Sequence, residues 1–375
     1  MDRPDWCQLR GGPARVRRDG VKGEESRQAV RRAVETALIG GAGAGLFVAL
    51  GIPAGSILGA ILAVAAATLA GRPLGWPKPI VTALFVVMGF GAGATATPAA
   101  VGAALLWPLS IALLVAASAL MWLGGWFVFR RGAHADGRTA FYAAAPGALS
   151  TVMILAEQQG ADMPKVAVAQ SLRLLIVVML SPFALFAGRV AIPVSDTPPV
   201  IGGVAGWLVV AAAVLGGWAL ARRLRWPAAA FLGPMLGSTL VHAPGLVHAQ
   251  APRPLLLVAG AVLGAMIGAR FQGLRPRDIS RSLWACLGMI LVMAAIGAPL
   301  GALVGAAVGV GPTPGLLAFA PGGMETMIAV ALAVNANPAY VAAHHLCRTL
   351  LLLATVPALS AYWRRRDAKS SQPPG

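Results

Sequence analysis

The sequence predicts an all-α polytopic membrane protein made of two inverted repeats, each with about five spanning helices plus one broken or re-entrant segment. Three observations carry this expectation: recurring apolar runs, an internal duplication, and basic residues confined to the connections between runs. The 375 residues are 58% hydrophobic and 11% charged, whereas soluble globular chains carry about a quarter charged residues. The apolar runs approach the length that a bilayer core demands, about 20 residues. The 46 glycines and 28 prolines suit close helix approach and helix breaks, which a membrane interior tolerates where protein or water satisfies the backbone.

Residues 1–33 are basic and Gly-rich and read as a disordered tail or as residues ahead of the true start. They do not read as a signal peptide, because the first apolar run begins only near Ala37 and continues as a spanning helix. The first membrane repeat, 34–190, holds apolar segments at 36–52, 53–69, 80–96, 103–129, 139–155 and 166–187. The second, 191–363, holds 200–221, 226–241, 255–269, 283–308, 314–334 and 340–362, of which 226–241 and 255–269 are short for a crossing. A basic C-terminal tail follows at 364–375.

The halves share a frame. Ala145-Pro146-Gly147-Ala148-Leu149-Ser150-Thr151 matches Ala320-Pro321-Gly322-Gly323-Met324-Glu325-Thr326, 175 residues later. The same spacing of 175 pairs Arg173 with Arg348, and Gly89 and Gly93 with Gly264 and Gly268. Pro53-Ala54 and Leu58-Gly59 match Pro227-Ala228 and Leu232-Gly233 at a spacing of 174.

Loop charge sets the expected topology, since cytoplasmic loops are enriched in Lys and Arg. If all twelve segments crossed, the Arg222–Arg225 loop would face outward. If one segment of each half fails to span, the basic loops at Arg72/Lys78, Arg130/Arg131/Arg138, Arg222–Arg225 and Arg270–Arg281 all face the cytoplasm, as do both termini. Each half then crosses five times. An odd number inverts the second half relative to the first, as in many secondary transporters.

Two duplicated motifs could carry chemistry. In the fifth segments, Pro146-Gly147 and Pro321-Gly322-Gly323 should break the helix. The freed backbone groups must then face protein or a watery cavity. Ser150, Thr151, Glu325 and Thr326 follow within a turn, and the restarting helix offers N–H groups to an anion. A packing kink is the plainer reading. Arg173 and Arg348 lie within apolar helices, where charge is costly and usually functional. Gln170 and His345 precede them by three residues and so share their helix faces. A guanidinium fork fits a carboxylate or phosphate; snorkelling or structural pairing is the alternative. Glu325, replaced by Ser150 in the first half, is the candidate for carrying a coupled proton or cation.

Other classes find little support. The net charge of +17 sits in loops and tails, so it orients the chain rather than marking a nucleic-acid surface. His134, His242, His248, His344 and His345 form no HxxxH, no CxxC occurs, and adjacent His344 and His345 point about 100° apart on a helix. No metal centre is expected, and the glycine runs lack the GKS or GKT of a phosphate cradle. No cofactor motif is found.

The paired Ala-Pro-Gly-Ala-Leu-Ser and Ala-Pro-Gly-Gly-Met-Glu stretches, each followed about 25 residues later by an arginine, resemble the membrane AbrB-duplication family over about residues 34–362. Members of that family are labelled variously ammonia monooxygenase, AbrB family transcriptional regulator or AbrB family transporter. The resemblance implies regulation of gene expression or movement of small metabolites such as amino acids. An ammonia monooxygenase needs clustered metal ligands, and a DNA-binding regulator needs a module that reads a groove; the sequence offers neither. The expectation is a non-enzymatic, ion-coupled transporter of a small anionic or zwitterionic metabolite in a bacterial inner membrane, with homo-oligomerisation left open. A membrane-embedded sensor that affects expression indirectly is the alternative.

Overall fold

The computed structural model describes residues 14–96, 107–146, 149–187, 203–226, 228–247, 249–334 and 336–370. Side chains are described for these except at 14–26, 149–151, 182–187, 353, 357 and 360–370. Among the described residues every regular element is helical. The first half runs α1 Ala14–Ala49, α2 Gly55–Leu69, α3 Lys78–Ala94, α4 Trp107–Gly132, α5 Gly137–Ala144, α6 Leu149–Gln158 and α7 Met163–Ala187. The second runs α8 Val204–Arg223, α9 Ala229–His242, α10 Arg253–Gly268 with a 3₁₀ turn Ala269–Phe271, α11 Pro276–Ala307, α12 Pro312–Phe319, α13 Met324–Ala333 and α14 Pro338–Ser370. Among the described residues seven helices are long and apolar enough to cross a membrane: α1, α4, α7, α8, α10 with its 3₁₀ turn, α11 and α14. The chain is therefore a polytopic, membrane-embedded helical protein.

The basic stretch read as a tail is helical from Ala14 onward, and in α1 Arg31 pairs with Glu35 one turn on, at 3.3 Å. Asp136 caps α5, accepting from the backbone N–H of Arg138 at 3.0 Å and Thr139 at 3.3 Å. Helices α2 and α9 both start from an alanine in the left-handed region, Ala54 at φ 52° and Ala228 at φ 50°. Such a conformation is uncommon for a residue with a Cβ, and it recurs at matched places in the two halves.

The fifth segments, 139–155 and 314–334, are each two short helices, separated at Ala145–Pro146 and at Ala320–Gly323. The bounds of α5 and α6 recur in α12 and α13 after 175 residues. Packing between halves is reciprocal: α3 lies on α9, and α10 lies on α2. Gly89 and Gly93 of α3 touch the Phe231 and Met235 carbonyls, while Gly264 and Gly268 of α10 touch those of Ile57 and Ile61. A Cβ on Gly93 would sit 2.6 Å from the Ser238 Cβ, and one on Gly268 would sit 2.7 Å from the Ile61 carbonyl oxygen. Only glycine permits this approach, which is how membrane helices gain packing energy that lipid does not supply. Each half thus lends its third helix to the second helix of the other.

Candidate functional site

The site begins where α5 and α12 stop. Ala145 leaves the helix at ψ 117° and Ala320 at ψ 139°. The prolines that follow favour this, because a residue before proline is pushed out of the α region. A helix that stops leaves its last carbonyls without partners, a serious cost away from water.

Side chains from α7 and α14 meet those carbonyls. In the first half, Gln170 Nε2 donates to the carbonyls of Tyr142 at 2.7 Å, Ala145 at 3.1 Å and Ala143 at 3.3 Å. Arg173 Nη1 donates to Ala145 at 2.9 Å and Ala144 at 3.4 Å, and its Nη2 donates to Gln170 Oε1 at 2.7 Å. In the second half, His345 Nε2 donates to the Leu317 carbonyl at 2.9 Å. Arg348 Nη1 donates to Ala320 at 2.7 Å, and its Nη2 donates to Gly322 at 2.8 Å and to His345 Nδ1 at 2.6 Å. Leu317 and Ala320 stand 175 residues after Tyr142 and Ala145. The capping device is thus duplicated along with the break.

Its chemistry explains why glutamine and histidine can exchange. Each offers one donor to a carbonyl and one acceptor to the neighbouring guanidinium. Because Leu317 can only accept and Arg348 can only donate, the partners of His345 assign it as the neutral Nε2–H tautomer.

Electrostatics then single the place out. Arg173 and Arg348 are each 2% exposed, and neither forms an ion pair among the described residues. The two guanidinium charges act on one another. Arg173 Nε is buried without a hydrogen-bond partner among the described residues. Leu174, next to Arg173, approaches the second break: its Cδ2 lies 3.1 Å from where a Cβ on Gly323 would stand. The two breaks are therefore neighbours. Helix α13 starts at Met324 with no side-chain cap, so its first N–H groups stay available.

Most of the residues singled out from sequence fall here. Pro146, Pro321 and Gly322 are buried, and Gly323 is half-buried. Thr326 turns its hydroxyl back to the Gly323 carbonyl at 2.7 Å. Gly147 and the side chains of Ser150 and Thr151 lie outside the described residues. Both guanidinium forks, read as ligand-facing, direct two of the three hydrogen bonds that each makes among the described residues to backbone carbonyls. Half-buried Glu325, in the first turn of α13, makes no ion pair among the described residues, but its charge acts on Arg270 in the 3₁₀ turn. Sequence reading passed over Arg270, treated as a loop charge, and Ser110, Tyr340 and His344, which gather beside Arg348. The repeat held a signal for them: Thr95, Lys165 and Ala169 stand in the first half where Arg270, Tyr340 and His344 stand in the second.

Fold and site together define a membrane-embedded helical protein with a duplicated, arginine-capped helix break. Residues 56–364 match the model of the family described as "Transition state regulatory protein AbrB", and the chain belongs to that family. It is 26% identical over 330 residues to a protein from Escherichia coli (strain K12) named "Putative regulator AbrB", covering 84% of this chain and 92% of that one. It is also 26% identical over 296 residues to the "Uncharacterized protein YhjN" of Bacillus subtilis (strain 168), covering 70% of this chain and 74% of that one. No solved structure matches.

Proposed function

We propose that the chain is a secondary transporter that binds a small anionic or zwitterionic metabolite, such as an amino acid or carboxylate, between its two helix breaks. The observation that carries this reading is the pair of buried guanidiniums, Arg173 and Arg348, which have each other's charge for company and no carboxylate partner among the described residues. Uncompensated charge in a membrane interior is expensive and marks substrate pathways. An anion placed there would relieve the repulsion and accept from the free N–H groups that open α13. Capping the carbonyl ends with arginine removes negative dipole ends from the site and leaves the positive ends exposed.

In this reading the two halves are inverted about the midplane, with ten crossings, both termini cytoplasmic, and the chain in a bacterial inner membrane. The breaks act as hinges for alternating access, and Glu325 with Arg270 is a charge pair that can open and close as a half moves. The test is uptake of labelled amino acids and small carboxylates into proteoliposomes under a proton or sodium gradient. Saturable, gradient-driven flux that Arg348→Lys reduces without loss of protein is expected, because an ammonium cannot reproduce the fork. The name of the Escherichia coli relative favours a second reading, a membrane-embedded regulator acting indirectly on expression. Absence of flux for every compound, with altered transcripts in a deletion strain, would favour it over transport.

A further inference from the structure

We propose that His344 of α14 is a proton-binding site, switched by the Ser110 hydroxyl of α4 and thermodynamically linked to the anion site at Arg348. The geometry of the imidazole carries the site by itself. The linkage to an anion at Arg348, and the meaning of the proton as the ion coupled to flux, rest on the transport reading.

His344 and Ser110 are both fully buried. His344 Nδ1 stands 2.8 Å from the Tyr340 carbonyl, which can only accept, so Nδ1 carries a hydrogen. His344 Nε2 stands 2.6 Å from Ser110 Oγ. That hydroxyl has a second acceptor within reach, the Trp107 carbonyl at 3.0 Å. A serine owns one hydrogen and two lone pairs. Turned towards His344, it donates to Nε2 and the ring is neutral. Turned towards Trp107, it leaves a lone pair to accept from Nε2–H, and the ring is an imidazolium. Both states are fully hydrogen-bonded, and they differ by one proton and one hydroxyl rotation. Buried polar groups seldom have two satisfied states, because an unmet partner costs about 1–3 kcal/mol.

His345, one residue on, lacks this freedom. Arg348 donates into its Nδ1 at 2.6 Å, and a second ring proton would set donor against donor. The first half has no counterpart either, since Ala169 and Ala285 occupy the places that correspond to His344 and Ser110 at a spacing of 175.

The surroundings supply a source and a link. The Tyr340 ring lies 3.9 Å from that of His344, and its hydroxyl approaches Ser110 without reaching hydrogen-bond geometry. Tyr340 Oη and Trp107 Nε1 are buried without a hydrogen-bond partner among the described residues; groups left without a protein partner are met by water or ligand. Among the described residues, α3, α4, α6, α12 and α13 make the main packing contacts with α14. Of these, α4 presents Ser110, α12 presents Phe319, α13 carries Glu325, α6 carries Glu157 and α3 carries Lys78. No carboxylate among the described residues is ion-paired with His344; the charge that acts on it is Arg348, and the adjacent titratable group is His345. A second positive charge beside Arg348 is costly while the anion site is empty and is compensated when an anion occupies it. Each ligand therefore raises the affinity for the other by the same factor.

The experiment is nitrogen NMR on the full chain labelled at histidine in lipid nanodiscs, over about pH 4 to 8, where imidazoles change charge. Signals are assigned with His344→Gln and His345→Gln. His344 should pass from the Nδ1–H form to the doubly protonated form, while His345 stays neutral at Nε2–H throughout. Arg348→Gln, which removes the guanidinium charge and keeps a polar side chain, should move the His344 midpoint up by about a pH unit or more, the signature of a removed neighbouring charge. Ser110→Ala should move it down, and Ser110→Thr should restore it. His344 remaining neutral in both the wild type and Arg348→Gln, or a midpoint indifferent to Ser110→Ala, overturns the proposal. Flux is not read, so a failure here is distinct from a failure of the transport reading.

Discussion

The equivalence of glutamine and histidine in the two caps can be tested by exchange. His345 makes two hydrogen bonds, to the Leu317 carbonyl at 2.9 Å and from Arg348 Nη2 at 2.6 Å. In His345→Gln the amide repeats what Gln170 does in the other half, with a donor for the carbonyl and an oxygen for the guanidinium. Little should be lost, roughly 1 kcal/mol or less, since no buried group changes its partner count. In His345→Leu the volume is kept, but one carbonyl and one guanidinium N–H are stranded in a buried site. Each stranded group costs about 1–3 kcal/mol, with the charged donor at the upper end, so roughly 3–5 kcal/mol is expected. That is a large share of a marginal stability of about 5–15 kcal/mol. Thermal unfolding in one detergent, followed by the surviving monodisperse fraction, should place His345→Gln beside the wild type and His345→Leu many degrees below. Equal losses in the two variants, or a His345→Leu protein as stable as wild type, would refute the capping account. The mirror pair, Gln170→His against Gln170→Leu, should behave the same way.

Glu325→Gln should abolish gradient-driven uptake while protein level and monodispersity stay at wild type; full uptake by this variant would remove Glu325 and its Arg270 partner from coupling. Asp136 lies outside the spans. Burial raises its carboxyl pKa, but hydrogen bonds from the Thr139 side chain and the Thr139 and Arg138 backbone outweigh this and hold it below the ordinary value. Its cap is therefore worth most above the unfolded pKa of about 3.9 and fades as pH falls through the folded value. Asp136→Ala should loosen the start of α5 by about 1 kcal/mol at neutral pH, read as faster amide exchange at Arg138 and Thr139, with the difference from wild type vanishing in strong acid. Arg223→Cys in a cysteine-free background should react with a membrane-impermeant thiol reagent only after the cytoplasmic side is opened; labelling from the periplasm would overturn the inverted topology.

Much of this molecule was legible because membrane constraints write themselves into sequence. The breaks at Pro146 and Pro321 follow from proline alone, and the duplication fixed which helices would match. The glycines of α3 and α10 announced close packing, though not that each would meet the other half's carbonyls. What the sequence hid was direction. Nothing in the spacing of Gln170 and Arg173 tells whether the guanidinium turns towards a ligand or back to Ala144 and Ala145. Nor could it show that Ser110, 234 residues before His344, would stand against its ring, a contact that only the packing of α4 on α14 creates.

The division of labour between the halves narrows where function resides. Whatever both halves keep is what the fold needs twice: the broken helix, an arginine, a donor–acceptor partner three residues before it, and glycines under the neighbouring helices. These would be required even if nothing were bound. The second half then adds charge and titratable groups that the first lacks, with Arg270 for Thr95, Glu325 for Ser150 and His344 for Ala169. None of the three meets a need of the backbone. The Glu325 charge acts on Arg270 in the turn after α10, and among the described residues His344 bonds its own helix and Ser110. Buried polar groups without a capping duty are a cost to stability that a fold does not carry unrewarded. On the transport reading proposed above, this asymmetry is what a coupled carrier requires: a cargo site built from what the halves share, and one flank whose charge depends on the ion that drives it.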